Sequence, residues 1–186
     1  MTKRAWEVGR LSVRTARADD LTALAAFSCS LGTAWEDEVQ EQIQGPLPHR
    51  YLTHRADDTD PRLLLTLSES QEILAVGAHH IERTTVQLPD GSIRDLRPTY
   101  VEVIAVSLRA RRTVIDLQDG GRPVTFGEFM YDTIVNDARA RPDRDPLIFA
   151  RIDKRHTISL AFCDRVGLTH PKANESSPYI QRWGDL

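Results

Sequence analysis

The run Tyr-Val-Glu-Val-Ile-Ala-Val-Ser-Leu over residues 100–108 is the longest β-branched stretch in the chain, apolar on both faces except at Glu102. Such a run suits a strand covered on both sides, so it predicts the central strand of a sheet. Residues 63–67 and 73–81 flank the polar turn 68–72 and read as a hairpin. A second hairpin, 85–88 with 92–96 around Pro89-Asp-Gly91, looks like an insertion. Residues 11–15 alternate as a strand, and 146–152 form a short apolar run that reads as a buried one.

Helices punctuate these strands. Residues 18–27 open a helix with an Asp cap, and Trp35, Val39 and Ile43 recur every four residues up to Gly45. Pro46 and Pro48 then predict a stop, with a polar loop from 49 to 62. Thr125 and Glu128 have the spacing of a capping box, and Phe126, Phe129, Met130, Thr133, Ile134 and Ala138 follow at helical spacing. Residues 139–145 are charged and read as a solvated loop, and a last helix over 156–168 is closed by Gly167.

With 186 residues, 40% of them hydrophobic and 27% charged, the chain has material for one ordinary core, so a single domain over 1–186 is expected. A net charge of −3 gives no general attraction to nucleic acid or to an anionic membrane, and neither partner is expected. Cys29 and Cys163 cannot build a disulfide framework, no stretch resembles a signal peptide, and no apolar run approaches a membrane span. A cytoplasmic protein is the expectation. No metal site is expected either, because His79 and His80 are adjacent on a strand and face opposite sides.

The order strand, two helices, three strands, helix, strand, helix resembles the GCN5-related N-acetyltransferase (GNAT) superfamily from about residue 11 to 168. The last helix carries the family spacing Asn-x-x-Ala-x-x-x-Tyr-x-x-x-Gly-Phe, with His156, Ser159, Cys163, Gly167 and Leu168 at the corresponding places. The opening Val13-Arg-x-Ala-x-x-x-Asp-Leu21 is also how many members begin. The resemblance implies a mixed, mostly antiparallel α/β sheet flanked by helices, with splayed fourth and fifth strands. It also implies an enzyme that moves an acetyl group from acetyl-coenzyme A, as co-substrate, to a small-molecule or peptide amine by direct attack. A member that has lost turnover and serves as a binding or regulatory module is the alternative. The oligomeric state stays open, with a homodimer as one option.

Carried over to this chain, Ile104, Ala105 and Val106 present backbone groups to the pantetheine, with His156 and Ser159 opposite. The family's phosphate loop reads Arg/Gln-x-x-Gly-x-Gly/Ala. Here Arg111 matches the first position, while Val114 and Asp116 replace the glycines. An insertion would move the phosphate turn to Gly120, Gly121 and Arg122, directly before the capped helix, with Arg111 and Arg112 flanking. Otherwise that stretch is only a tight turn with Arg122 in solvent.

Three side chains are candidates for proton transfer. Glu102, a carboxylate on an apolar strand, either takes the acceptor's proton or pairs with an arginine, and Ile104 and Val106 are expected on its face. Tyr100 is the reserve group on that face. Cys163 stands at the family's tyrosine and is either a proton donor to the departing thiolate or a packing residue. Trp35, Glu36 and Asp37, at the start of the second helix, occupy the region that the resemblance assigns to the border of the acceptor pocket; the alternative for Trp35 is a helix-packing anchor.

Overall fold

The computed structural model describes residues 5–53, 59–87, 92–117, 121–173 and 176–186. Strands Ala5–Glu7 (β1) and Leu11–Thr15 (β2) come first, followed by helices Leu21–Ala25 (α1), Ala34–Gln44 (α2) and Pro46–Thr53 (α3). Arg62–Ser68 (β3) and Ile73–Ile81 (β4) form the expected hairpin, and Thr84–Gln87 (β5) with Ile93–Leu96 (β6) the second one. The turn expected at 89–91 lies outside the described residues. Thr99–Val106 (β7), Val114–Asp116 (β8), helix Phe126–Arg139 (α4), Leu147–Asp153 (β9) and helix Thr157–Arg165 (α5) lead to His170–Ala173 (β10) and Tyr179–Asp185 (β11).

Seven strands form one sheet in the order β10-β11-β9-β7-β4-β3-β2. All neighbours are antiparallel except β7 and β9. As its sequence required, β7 lies in the middle. Strand β3 feeds both layers through simple alternation: Leu63, Leu65 and Leu67 join the core with α1–α3, while Leu64 joins the core with α4. Helix α4 sits close on the sheet because Gly77 leaves room for Met130; a Cβ at that glycine would lie 2.6 Å from the Met130 Sδ. The expected capping box starts α4, with the Glu128 N–H donating to Thr125 Oγ1 at 3.2 Å and the Thr125 N–H to the Glu128 carboxylate at 2.8 Å.

Two stretches depart from expectation. Residues 46–53 are helical rather than a stop and a loop, because Pro46 and Pro48 both fall in the first turn, where the N–H groups have no intrahelical acceptor to lose. Leu47 and Tyr51 are the buried anchors of that helix. Beyond residue 168 the sheet continues: β10 and β11 form a hairpin whose second strand pairs with β9 along its whole length. Among the described residues no helix is long and apolar enough to cross a membrane.

Two central strands diverge. Strand β7 pairs with β9 only from Thr99–Ile148 to Val101–Ala150, after which β7 runs on to Val106 and β9 to Asp153. The divergence begins beside an irregularity on the other edge of β7, where Val101 faces His79 and Val103 faces Ala78, leaving Glu102 as an extra residue. Such a bulge bends and twists the strand that carries it. It also changes the faces. Ile104 and Val106 pack with the α4 core, whereas Val103 and Ala105 pack with α1–α3, and Glu102 bonds to Tyr51 of α3. Glu102 therefore does not share a face with Ile104 and Val106, contrary to simple alternation.

Candidate functional site

A cavity of about 730 Å³ opens between the end of β7, the turn after it, and the N-termini of α2, α4 and α5. Ile104, Ala105 and Val106 line it from the strand, Arg111 and Arg112 from the turn, and His156 and Ser159 from α5. Thr125, Phe126 and Gly127, the cap and first residues of α4, also border it. The free N–H groups of a helix's first turn attract anions, so this wall suits phosphate oxygens.

The turn curls without glycine. Arg112 adopts φ +65°, a left-handed conformation, directly after Arg111. From Val114 the chain straightens into β8, which pairs in parallel with β1, and Ile115 bridges back to Val124. Asp116 thus lies exposed on a strand and does not line the cavity. Gly121 and Arg122 are not brought to the cavity either; Arg122 is 72% exposed and reaches Glu128 at 3.3 Å. Gly120 lies outside the described residues.

Arg111 is engaged. Its guanidinium donates to Glu36 of α2 and to the Val106 carbonyl at 3.4 Å. Burial opposes ionisation of Glu36, but Arg111, the Leu31 N–H and the Thr33 hydroxyl outweigh it and bring the carboxyl down to about 2. Arg112 is exposed at the mouth and has no acidic partner among the described residues.

Trp35 borders the cavity. It stacks on His156 across the cavity, with centroids 6.2 Å apart and planes 18° apart, and Arg155 lies 4.6 Å over its ring. Asp153 fixes Arg155 through contacts of 2.8–3.0 Å, and His156 Nδ1 lies 3.0 Å from Ser159 Oγ. The first turn of α2 and the start of α5 thereby meet at the cavity. Sequence reasoning marked Trp35 but had no means of finding its partner on a distant helix.

Glu102 has partners of its own. It accepts from Arg50 and, at 2.6 Å, from the Tyr51 hydroxyl, which in turn lies 2.9 Å from His80 Nδ1. Burial lowers the pKa of His80, against the pull of Glu102. Tyr100 packs between His80 and Phe149, and burial with Glu102 nearby pushes its hydroxyl up to about 12. His79 faces the other side, 3.1 Å from Asp137 of α4. None of Glu102, Tyr100 and Cys163 lines the cavity. Cys163 is 2% exposed within the α4 core, and burial raises its thiol to about 11. The cap expected after α5 is present, with Gly167 at φ +86° and the Leu168 N–H donating to the Cys163 carbonyl at 2.9 Å.

No family profile and no curated protein matches this sequence. Solved structures do. A protein of the GNAT family from Desulfovibrio desulfuricans shares 16% identity and a TM-score of 0.59, covering 95% of this chain and 98% of its own. The chain has the GNAT fold. A tyrosine-to-phenylalanine mutant of the toxin AtaT is similar at 11% identity and TM-score 0.62, over 97% of this chain and 92% of the toxin. A chain from a KacTA–DNA complex is similar at 12% identity and TM-score 0.59, over 92% and 91% of the two chains. At these identities the likeness is one of fold.

Proposed function

We propose that this chain is an N-acetyltransferase that carries acetyl from acetyl-coenzyme A to an amine by direct attack. One observation carries the reading: β7 and β9 part after three paired residues, and the free end of β7 lines a cavity that also takes in the N-terminus of a capped helix and Arg112. A long ligand with an amide-bearing arm and a phosphate end fits such a cleft. Backbone groups of Ile104, Ala105 and Val106 would hold the arm, while the turn at 111–113 and the first N–H groups of α4 would hold the phosphates. The thioester supplies the activated acetyl group; the neutral amine's nitrogen bonds to its carbonyl carbon, the carbon–sulfur bond breaks, and the proton that the nitrogen gives up ends on the departing sulfur, through solvent.

The chain's own part in proton transfer is small on this reading. Glu102 is engaged by a guanidinium and a hydroxyl and does not line the cavity, and Cys163 is enclosed in the core. The cleft orients and excludes water, and the amine attacks in its neutral form. The same observation supports a second reading, a binding module that holds coenzyme A without turnover. The KacTA–DNA neighbour raises a nucleic-acid partner for either reading, but the net charge of −3 gives no general attraction to one.

Calorimetry with acetyl-coenzyme A and coenzyme A tests both. Micromolar binding, worth about −8 kcal/mol, is expected for each. Heat with coenzyme A but no acetyl transfer to any of a panel of amines would select the binding module; no heat with either would end both readings.

A further inference from the structure

Residues 28–33, which join α1 to α2, form one wall of the cavity through Cys29 and Leu31. Cys29 is buried in the core with α1–α3, but Leu31 is 64% exposed, so burial holds the start of this segment and does little for the rest. Side chains of α2 hold it instead. Gln40 accepts from the N–H groups of Cys29 and Ser30 at 2.9 and 3.0 Å, and one Glu36 oxygen, Oε2, accepts from the Leu31 N–H and the Thr33 hydroxyl, both at 3.0 Å. The other oxygen of Glu36 accepts from Arg111, 75 residues away in the turn after β7. A single carboxylate thus grips the wall with one oxygen and the turn with the other. A main-chain bond runs parallel to it, from the Leu108 N–H to the Ser28 carbonyl at 2.9 Å.

A carboxylate in this place is unexpected for a phosphate site taken alone. It occupies the guanidinium that the sequence pattern assigns to phosphate, and it adds negative charge to a cavity meant for an anion. Its cost makes sense if it transmits something. The pair is only partly solvated, at 28% exposure for Arg111 and 18% for Glu36, so it is screened less than a surface pair. We propose that Glu36 is a positioning residue that makes the turn at 107–113 and the wall at 28–33 one unit, so that a ligand seated on the turn orders the wall. This rests on the acetyltransferase reading, in which the turn holds the phosphates of coenzyme A. By linkage, whatever the wall recognises tightens the hold on the coenzyme by the same factor.

Hydrogen exchange of the full chain with and without saturating coenzyme A tests this without knowledge of the acceptor. In the wild type, coenzyme A should slow exchange by about tenfold in both 107–113 and 28–33. In Glu36→Gln, protection of 107–113 should remain while that of 28–33 falls to within about twofold of the free protein. Arg111→Gln breaks the same bridge from the other end and should give the same pattern at saturating ligand, so the test survives if one variant folds poorly. The double variant should add nothing further. Protection of 28–33 that persists in both single variants, or a wild-type wall that ignores coenzyme A while the turn responds, would overturn the inference and leave the acetyltransferase reading intact. Absence of any coenzyme A response, in exchange or in heat, would remove that reading and this one with it.

Discussion

At the scale of single residues, two proton-transfer candidates have structural surroundings: Glu102 is paired and Cys163 is buried. Glu102 holds α3 on β7 through Arg50 and Tyr51. Glu102→Gln should lower stability by about 1–3 kcal/mol in urea denaturation, since two charge-assisted bonds weaken while Arg50 can turn to solvent. Coenzyme A affinity should stay within about threefold and turnover should follow the acceptor's own ionisation, near pH 10 for a lysine-like amine. A turnover loss of a hundredfold or more with normal stability would restore Glu102 as the base. Cys163→Ala should cost about 1–2 kcal/mol through the small cavity it leaves, with coenzyme affinity and turnover near wild type. A selective loss of turnover there would instead make the thiol a proton donor.

At the scale of elements, the turn after β7 and the start of α4 are the parts that must meet a phosphate. The chain reaches a tight curl through Arg112 at φ +65° rather than through glycine, and sends 114–116 into a strand instead. On the reading above, Arg112→Ala should weaken coenzyme A binding by about tenfold, a lost charge-assisted contact, while Arg122→Ala should leave it within about twofold. The reverse ranking, measured by calorimetry, would put the phosphates on the segment around 119–122. Thr125→Ala removes the cap of α4 and should cost about 1 kcal/mol, largely recovered in Thr125→Ser.

At the scale of the whole molecule, several acidic groups are tied to arginines across elements. Asp20 accepts from Arg14 at 2.7 Å through both oxygens, which lowers its pKa, and Glu36 sits at about 2. Because these folded-state values lie below those of the unfolded chain, the groups contribute stability above the unfolded carboxylate range, near pH 4, and lose it as pH falls toward 2. The urea midpoint should therefore drop between about pH 4.5 and 2.5. A midpoint unchanged over that interval would show that these pairs contribute nothing to the folded state.

What the sequence determined by itself was the content and order of the layers. A two-residue alternation, a four-residue recurrence or a capping box is complete within a turn or two of chain, so β7, the β3–β4 hairpin and the capped α4 were legible locally. The helix at 46–53 is not legible locally, because Pro46 and Pro48 read as breakers unless both fall in a first turn, and only the fold puts them there. The hairpin β10–β11 is likewise not legible locally, because it is held by pairing with β9 rather than by a pattern of its own. Only the tertiary structure decided the site. Whether Glu102 meets solvent or Arg50, 52 residues earlier, depends on one extra residue in the register of β7 against β4. The contacts of Trp35 with His156 and of Glu36 with Arg111 join segments far apart in the chain, and their geometry is fixed by sheet register and helix packing, quantities that no local pattern encodes.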